Sequence, residues 1–252
     1  MNLVADIGNT RSKLGVFVDD KLIANITIEK GSDSNILEDF LNPLKEVRNI
    51  LTSSVGNEQL NISSFYPNAL VMELDSSTPL PITLAYSTPD TLGADRIAIS
   101  VGANNQFRNE NVLVIDLGTC ITFDFINSKN EYQGGSISPS TSLRYKALNN
   151  YTENLPLVVA DIPLEQIMLQ GKSTKESIMT GVTRGVFYEI TGLINRYFEE
   201  FPELKVMFTG GSFPYFENEL RRTFQSKKNL IFADSYLALT GLNVIVNFNV
   251  NR

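Results

Sequence analysis

Asp6 and Asp116 each end a short apolar, β-branched run, and each is followed by a single residue and a glycine. The two segments read Leu3-Val4-Ala5-Asp6-Ile7-Gly8-Asn9-Thr10 and Leu113-Val114-Ile115-Asp116-Leu117-Gly118-Thr119. A second apolar run follows each, Ser12 to Val18 and Ile121 to Ile126. A strand ending in a carboxylate, a glycine turn and a returning strand make a hairpin whose backbone N–H groups can cradle a phosphate. The carboxylate beside it can hold a divalent cation, because Mg²⁺ is content with one or two carboxylates plus phosphate oxygens. Glycine at the turn removes the Cβ that would keep a ligand away. Lys13, on the returning strand, adds an ammonium within reach of the same phosphate. A single such turn is equally an ordinary hairpin with a solvated aspartate. Its recurrence 110 positions later points to two related halves facing each other across a cleft, although the second copy can also be an echo of duplication that has lost its role.

A third carboxylate stands in Gly93-Ala94-Asp95-Arg96, where a loop opens into a helix. Asp95 could take the proton of a substrate hydroxyl, and the Arg96 guanidinium could clamp a substrate carboxylate. Spacing alone favours the simpler alternative, in which Asp95 caps the helix and Arg96 covers its surface. Two glycine pairs are further candidates. Gly134-Gly135-Ser136-Ile137-Ser138-Pro139-Ser140 suits an anion or a plain strand-to-helix turn, and Gly210-Gly211 after Val206-Met207-Phe208-Thr209 would let a flat purine lie against the backbone.

Composition limits the chemistry available. The chain has no histidine, so general-base, triad and metal chemistry that depends on imidazole is excluded. Its one cysteine, Cys120, has no histidine to activate it and reads as a small buried hydrophobe. A lone cysteine also fits a reducing cytoplasm. A net charge of −7 argues against nucleic-acid binding. No apolar run reaches bilayer length, and the N-terminus lacks the basic segment of a secretory signal, so neither a membrane nor export is expected. At 252 residues, 42% hydrophobic and 19% charged, the chain has ample length for a core.

The elements that must position these groups are readable from periodicity. Lys21 to Ile28 extends the first hairpin. Ile36 to Val47 has helical spacing, with Pro43 as a point of breakage or kinking, and Ile50 to Val55 and Leu70 to Leu74 are strand candidates. Ser76 to Pro89 reads as a surface loop, and Gly93 to Phe107 as a helix. The second half repeats the plan with Val112 to Asp116, Ile121 to Ile126 and Gln133 to Ile137, then a helix over Ser142 to Asn149. Val182, Val186, Ile190, Leu193, Ile194 and Tyr197 form the stripe of a long amphipathic helix between Ile178 and Phe198, suited to the core or to a partner. Lys205 to Thr209 and Leu230 to Ala233 are strands, and Tyr236 to Val246 a closing helix. The plain division is into two α/β halves, residues 1–105 and 106–252.

The set "DIGNTRSKLGVF", "GADR", "IDLGT", "GGSISPS" and "FTGGS" resembles the type III pantothenate kinases, within the actin, sugar-kinase and Hsp70 ATPase superfamily. The match runs in order from residue 3 to about residue 243. The resemblance implies two ribonuclease-H-like half-domains with a nucleotide cleft between them, and a cytoplasmic homodimer. It also implies a transferase that phosphorylates pantothenate with ATP, the first step toward coenzyme A. It makes Asp6, Ile7, Gly8, Asn9, Thr10, Arg11, Ser12 and Lys13 the ATP phosphate loop, with Thr119 a further ATP contact and Asp6 a Mg²⁺ ligand, directly or through water. It makes Asp95 the general base and assigns Tyr86, Gly93, Ala94, Asp95, Arg96 and Thr174 to pantothenate, Thr174 being donated across the dimer. Asp116 becomes the ligand of the required monovalent cation, K⁺ or NH₄⁺. The chain departs from the family at Pro139-Ser140, where Pro-Gly is usual. Other readings within the superfamily are a non-catalytic nucleotide-binding regulator, whose mark would be a broken Asp6 or Asp95, and a kinase for a different acceptor.

Overall fold

The structure, a computed structural model, describes residues 1–32, 35–54 and 60–252. Backbone contacts group the chain into two units. One comprises residues 1–109, 126–134 and 236–252, and the other residues 110–125 and 135–235.

In the first unit, β1 (Asn2–Ile7), β2 (Arg11–Val18) and β3 (Lys21–Glu29) form an antiparallel meander, and β4 (Asn49–Ser54) and β5 (Leu70–Glu73) add in parallel, in the order β3-β2-β1-β4-β5. Strand alternation sends Leu3, Ala5 and Ile7 to one face, where they pack with Leu14, Val16, Ile50 and Leu41 of α1 (Asn35–Leu41). That helix stops two residues before Pro43, whose ring and missing N–H would break it. The strand expected to run to Val55 is seen to Ser54, and Val55 itself lies outside the described residues.

The other face of the sheet carries Asn2, Val4 and Asp6 and is covered by α7 (Leu237–Val250), which packs in turn on α2 (Ala94–Gln106). The two helices meet so closely that a Cβ on Gly241 would lie 1.8 Å from the Ala98 carbonyl oxygen. Asparagines fix α7 to the strands: Asn2 Nδ2 donates to Asn243 Oδ1 and Asn247 Oδ1, each at 2.8 Å, and Asn49 Nδ2 donates to Asn2 Oδ1 at 2.8 Å. Asn243 Nδ2 donates on to the Asp19 carbonyl at 2.9 Å, and a network of buried amides paired in this way specifies a single seating of the helix.

The second sheet runs β11 (Ile231–Ala233), β10 (Lys205–Thr209), β7 (Val112–Leu117), β8 (Cys120–Ile126), β9 (Glu131–Pro139), with β6 (Thr83–Leu84) paired parallel to the start of β9. The short β6 interrupts the loop expected over Ser76 to Pro89. β7, β10 and β11 are parallel and almost wholly apolar, as strands buried on both faces must be. Their side chains share the core of the second unit with α3 (Thr141–Asn150), α5 (Gly185–Glu200) and α6 (Phe213–Thr223). The long helix is in fact α4 (Thr174–Met179), a π-turn over Thr180–Arg184, and α5. Its apolar stripe is core: Val182, Val186, Ile190 and Ile194 are buried against their own unit, and Leu193 and Tyr197 are packed at the margin.

Candidate active site

In the first unit, strand register assembles the charged groups. Asp6 is opposite Lys13 in the β1–β2 pair and beside Ser53 in the parallel β1–β4 pair, so Lys13, Asp6 and Ser53 form a row on one face. Neighbours in register share a face because the pleats of paired strands are in phase. Asp6 is half-buried. Its carboxyl is pushed from 3.8 up to about 6, first by loss of hydration, then by the negative charge of Asp95, with Lys13 opposing the rise. The Asp95 carboxylate, borne on the first turn of α2, is therefore an electrostatic neighbour of Asp6 although the two lie far apart in sequence.

The Gly8–Thr10 turn presents Asn9 and Thr10 to solvent, with the Gly8 N–H donating to the Arg11 carbonyl at 3.1 Å. Arg11 is exposed, 3.9 Å from Glu29. Ile7 and Ser12 are buried, and by alternation they lie on the face opposite Asp6 and Lys13.

Asp95 Oδ1 accepts from the Arg96 N–H at 2.8 Å. A Cβ on Gly93 would lie 2.4 Å from that same Oδ1, so the glycine leaves the space the carboxylate occupies. The Asp95 carboxylate is thus held within the first turn of the helix while the residue stays half-buried. Ala94 is half-buried and Arg96 buried. Tyr86 is half-buried and packs edge-on against Tyr132, ring centroids 5.7 Å apart.

In the second unit, Asp116 is the penultimate residue of β7, in register with Thr209 of β10. The residue after Thr209 is Gly210, whose φ is +92°. A Cβ there would fall 2.3 Å from Asp116 Oδ1 and 2.5 Å from the Leu117 carbonyl carbon. The first pair of glycines is equally constrained: a Cβ on Gly135 would lie 1.7 Å from the Phe123 carbonyl oxygen. Gly210→Ala is expected to lose at least about 1–3 kcal/mol from backbone conformation alone and to displace the Asp116 carboxylate. Urea unfolding measures the first effect. An unchanged urea midpoint would contradict it.

Thr119 is exposed on the Asp116 turn and Cys120 half-buried beside it. Ser140 accepts from the Leu143 N–H and caps α3 with a φ of −64°, so the serine stands where no positive φ is needed. A pocket of about 360 Å³ lies beside Gly211 and Ser212, walled by Tyr145, Lys146, Val159 and Tyr215. Its aromatic hydroxyls are already engaged: Tyr145 with Thr183, and Tyr215 donating to the Ile162 carbonyl at 2.9 Å. Thr174 opens α4 and lines a separate groove of about 1140 Å³ with Arg144, Tyr151, Gly171, Ile178 and Gly181.

Among the described residues no cluster of three or more His, Cys, Asp or Glu could enclose a metal. A cation that keeps water and binds largely to phosphate needs no more than one or two carboxylates, and Asp6 and Asp116 each stand beside a glycine turn. Ser53 was missed by sequence reasoning. It sits between Thr52 and Ser54, so nothing in the sequence sets it apart, and its relation to Asp6 needs the parallel register.

The family model of the type III pantothenate kinases matches residues 2–196. The chain is 39% identical over 253 residues to a type III pantothenate kinase of Bacteroides fragilis, with 100% of both chains covered. It is 42% identical over 252 residues to that of Cytophaga hutchinsonii, covering 99% of this chain and 100% of the relative. Among solved structures it resembles a ROK family protein from Streptococcus pneumoniae in complex with sucrose, with a TM-score of 0.50, 13% identity, and 100% of this chain and 99% of that one covered. It also resembles component A of (R)-2-hydroxyglutaryl-CoA dehydratase from Acidaminococcus fermentans, with a TM-score of 0.50, 13% identity, and coverage of 98% and 96%. At such identities the likeness is one of fold, that of the actin-like ATPases and sugar kinases.

Proposed function

The chain belongs to the type III pantothenate kinase family, and from that membership we propose how its residues divide the work. The reaction is the ATP-dependent phosphorylation of pantothenate, which leads to coenzyme A. Asp95 is the general base. As the primary hydroxyl oxygen of pantothenate bonds to the γ-phosphorus and the bond to the ADP oxygen breaks, the hydroxyl proton passes to the Asp95 carboxylate. Arg96, Gly93, Ala94 and Tyr86 hold the acceptor, the guanidinium pairing with the pantothenate carboxylate. The Gly8–Thr10 turn and Lys13 receive the phosphates, with Arg11 and the backbone of Ile7 and Ser12 belonging to the same loop, and Thr119 is a further ATP contact. Asp6 holds Mg²⁺, which when bound offsets charge on the transferring phosphoryl group. Asp116 holds K⁺ or NH₄⁺. Positioning and charge neutralisation supply most of the rate in phosphoryl transfer, so the absence of histidine is no obstacle.

The observation that carries this reading is the electrostatic coupling of Asp6 to Asp95 and Lys13. It joins a phosphate-type turn to a carboxylate able to take a proton. The pocket beside Gly211 is of a size for a nucleoside and supports adenosine there. The Thr174 groove, with Tyr151 88% exposed and Met168 and Leu169 also exposed near it in sequence, supports a second copy of the chain as its occupant.

The test is ATP consumption with and without pantothenate, in K⁺ and in Na⁺ buffers, on protein whose mass in solution is read by light scattering. Turnover is expected only with pantothenate, at least tenfold faster in K⁺, and from a particle of two chains. Nucleotide binding without pantothenate-dependent turnover would contradict the assignment.

A further inference from the structure

Ser53 is 0% exposed, and its hydroxyl has no hydrogen-bond partner among the described residues. A buried hydroxyl left unpaired is destabilising, and alanine would avoid that cost. The position is therefore informative. Ser53 lies beside Asp6 in the parallel β1–β4 pair, and Asp6 lies opposite Lys13 in the β1–β2 pair. Its neighbour in sequence, Thr52, points the other way and lines a pocket with Ile7 and Ile50, which confirms that Ser53 belongs to the Asp6 face. The residue before that, Leu51, shares the Ser53 face and is wholly buried and apolar. On this face of β4 the polar Asn49 is paired with Asn2, whereas the Ser53 hydroxyl stands unpaired at the register step where β1 carries a carboxylate.

Paired strands are about 4.8 Å apart, a gap that rotation about the Ser53 Cα–Cβ bond can bridge to a neighbouring side chain. A carboxylate that holds a cation through one oxygen needs its other oxygen fixed. Residues that orient a metal ligand in this way commonly change metal affinity 10–100-fold when removed.

We propose that Ser53 is a positioning residue for Asp6: its hydroxyl donates to the inner carboxylate oxygen and leaves the outer one for the cation that accompanies ATP. With Lys13 on the other side, the carboxylate is held between a donor on β4 and a cation on β2. This rests on the reading of Asp6 as the Mg²⁺ residue, and the experiment separates the two.

Mn²⁺ affinity for the complex of the enzyme with a non-hydrolysable ATP analogue, read by electron paramagnetic resonance, is compared in wild type, Ser53→Ala, Ser53→Thr, Asp6→Asn and the Asp6→Asn, Ser53→Ala double variant. Ser53→Ala is expected to weaken Mn²⁺ about tenfold, with ligand-free thermal stability equal to wild type or higher. Ser53→Thr, which keeps the hydroxyl, should stay within about threefold of wild type. In the Asp6→Asn background, Ser53→Ala should add nothing, because the two act as one unit. Wild-type Mn²⁺ affinity in Ser53→Ala, with a loss in Asp6→Asn, would overturn the role of Ser53 alone. Unchanged affinity in Asp6→Asn would overturn the Asp6 reading and this inference with it.

Discussion

Asp95→Asn lowers kcat by about 10²–10⁴-fold, the usual share of a general base, while nucleotide affinity changes less than about threefold. Asparagine is isosteric and its side-chain oxygen can still accept from the Arg96 N–H, so the first turn of α2 keeps its hydrogen bond. The helix forfeits only the favourable placement of a negative charge at its N-terminus, about 0.3–1 kcal/mol. What disappears is the acceptor for the hydroxyl proton. The same substitution removes the Asp95 charge that helps raise the Asp6 carboxyl, so Asp6 becomes easier to ionise and the cation site is not weakened. A kcat deficit with intact nucleotide binding therefore separates a base from a residue that merely holds the helix. Steady-state kinetics with calorimetric titration of the nucleotide measure both, and retention of most of the turnover would contradict the assignment.

Asp6→Asn has the second large effect, and its sign changes with what is measured. Activity falls because the cation loses its carboxylate, yet the ligand-free protein becomes more stable at pH 8. The Asp6 carboxyl is raised from 3.8 to about 6 in the folded chain. Below the unfolded value both states are protonated and the residue costs nothing. As pH rises from 3.8 through 6, the unfolded chain gives up the proton first and stability falls. Above that window the full cost is present, about 3 kcal/mol at most, since one pH unit is worth 1.36 kcal/mol. Asparagine cannot ionise, so the variant should exceed wild type at pH 8 by up to that amount, in which the opposing attraction of Lys13 is already included. The advantage should vanish near pH 3.5. Urea midpoints at the two pH values measure it, and equal midpoints at pH 8 would contradict it. The carboxylate is retained at a cost to the fold, as a functional group often is.

Much of this architecture was legible because it is local. The two apolar runs ending in Asp-x-Gly are strand, turn and strand in both halves, and the helix after Gly93 begins and ends within a residue of its expected bounds. Pro43 stops α1 for a reason visible in one residue. Less local features were not legible. Helical spacing from Ile178 to Phe198 gave no sign of the π-turn at Thr180–Arg184, because the apolar stripe continues through it. The same stripe suited either core or partner, and packing against β8, β10 and α6 decides for core.

The seating of α7 against β1 depends on asparagines more than 240 positions apart, a pairing no window of sequence contains. Gly210 was visible as a glycine. That a Cβ there would strike Asp116 requires β7 and β10 to be neighbours. Ser53 is the clearest case, an ordinary serine in a strand until the parallel register sets it beside Asp6.

The most direct test of the account is ³¹P nuclear magnetic resonance of the purified protein incubated with ATP, Mg²⁺, K⁺ and pantothenate. A new phosphomonoester signal, coupled to the methylene protons of the former primary alcohol and growing in step with ADP, is the expected result. ADP accompanied by inorganic phosphate alone, or a phosphomonoester that appears equally without pantothenate, would contradict it.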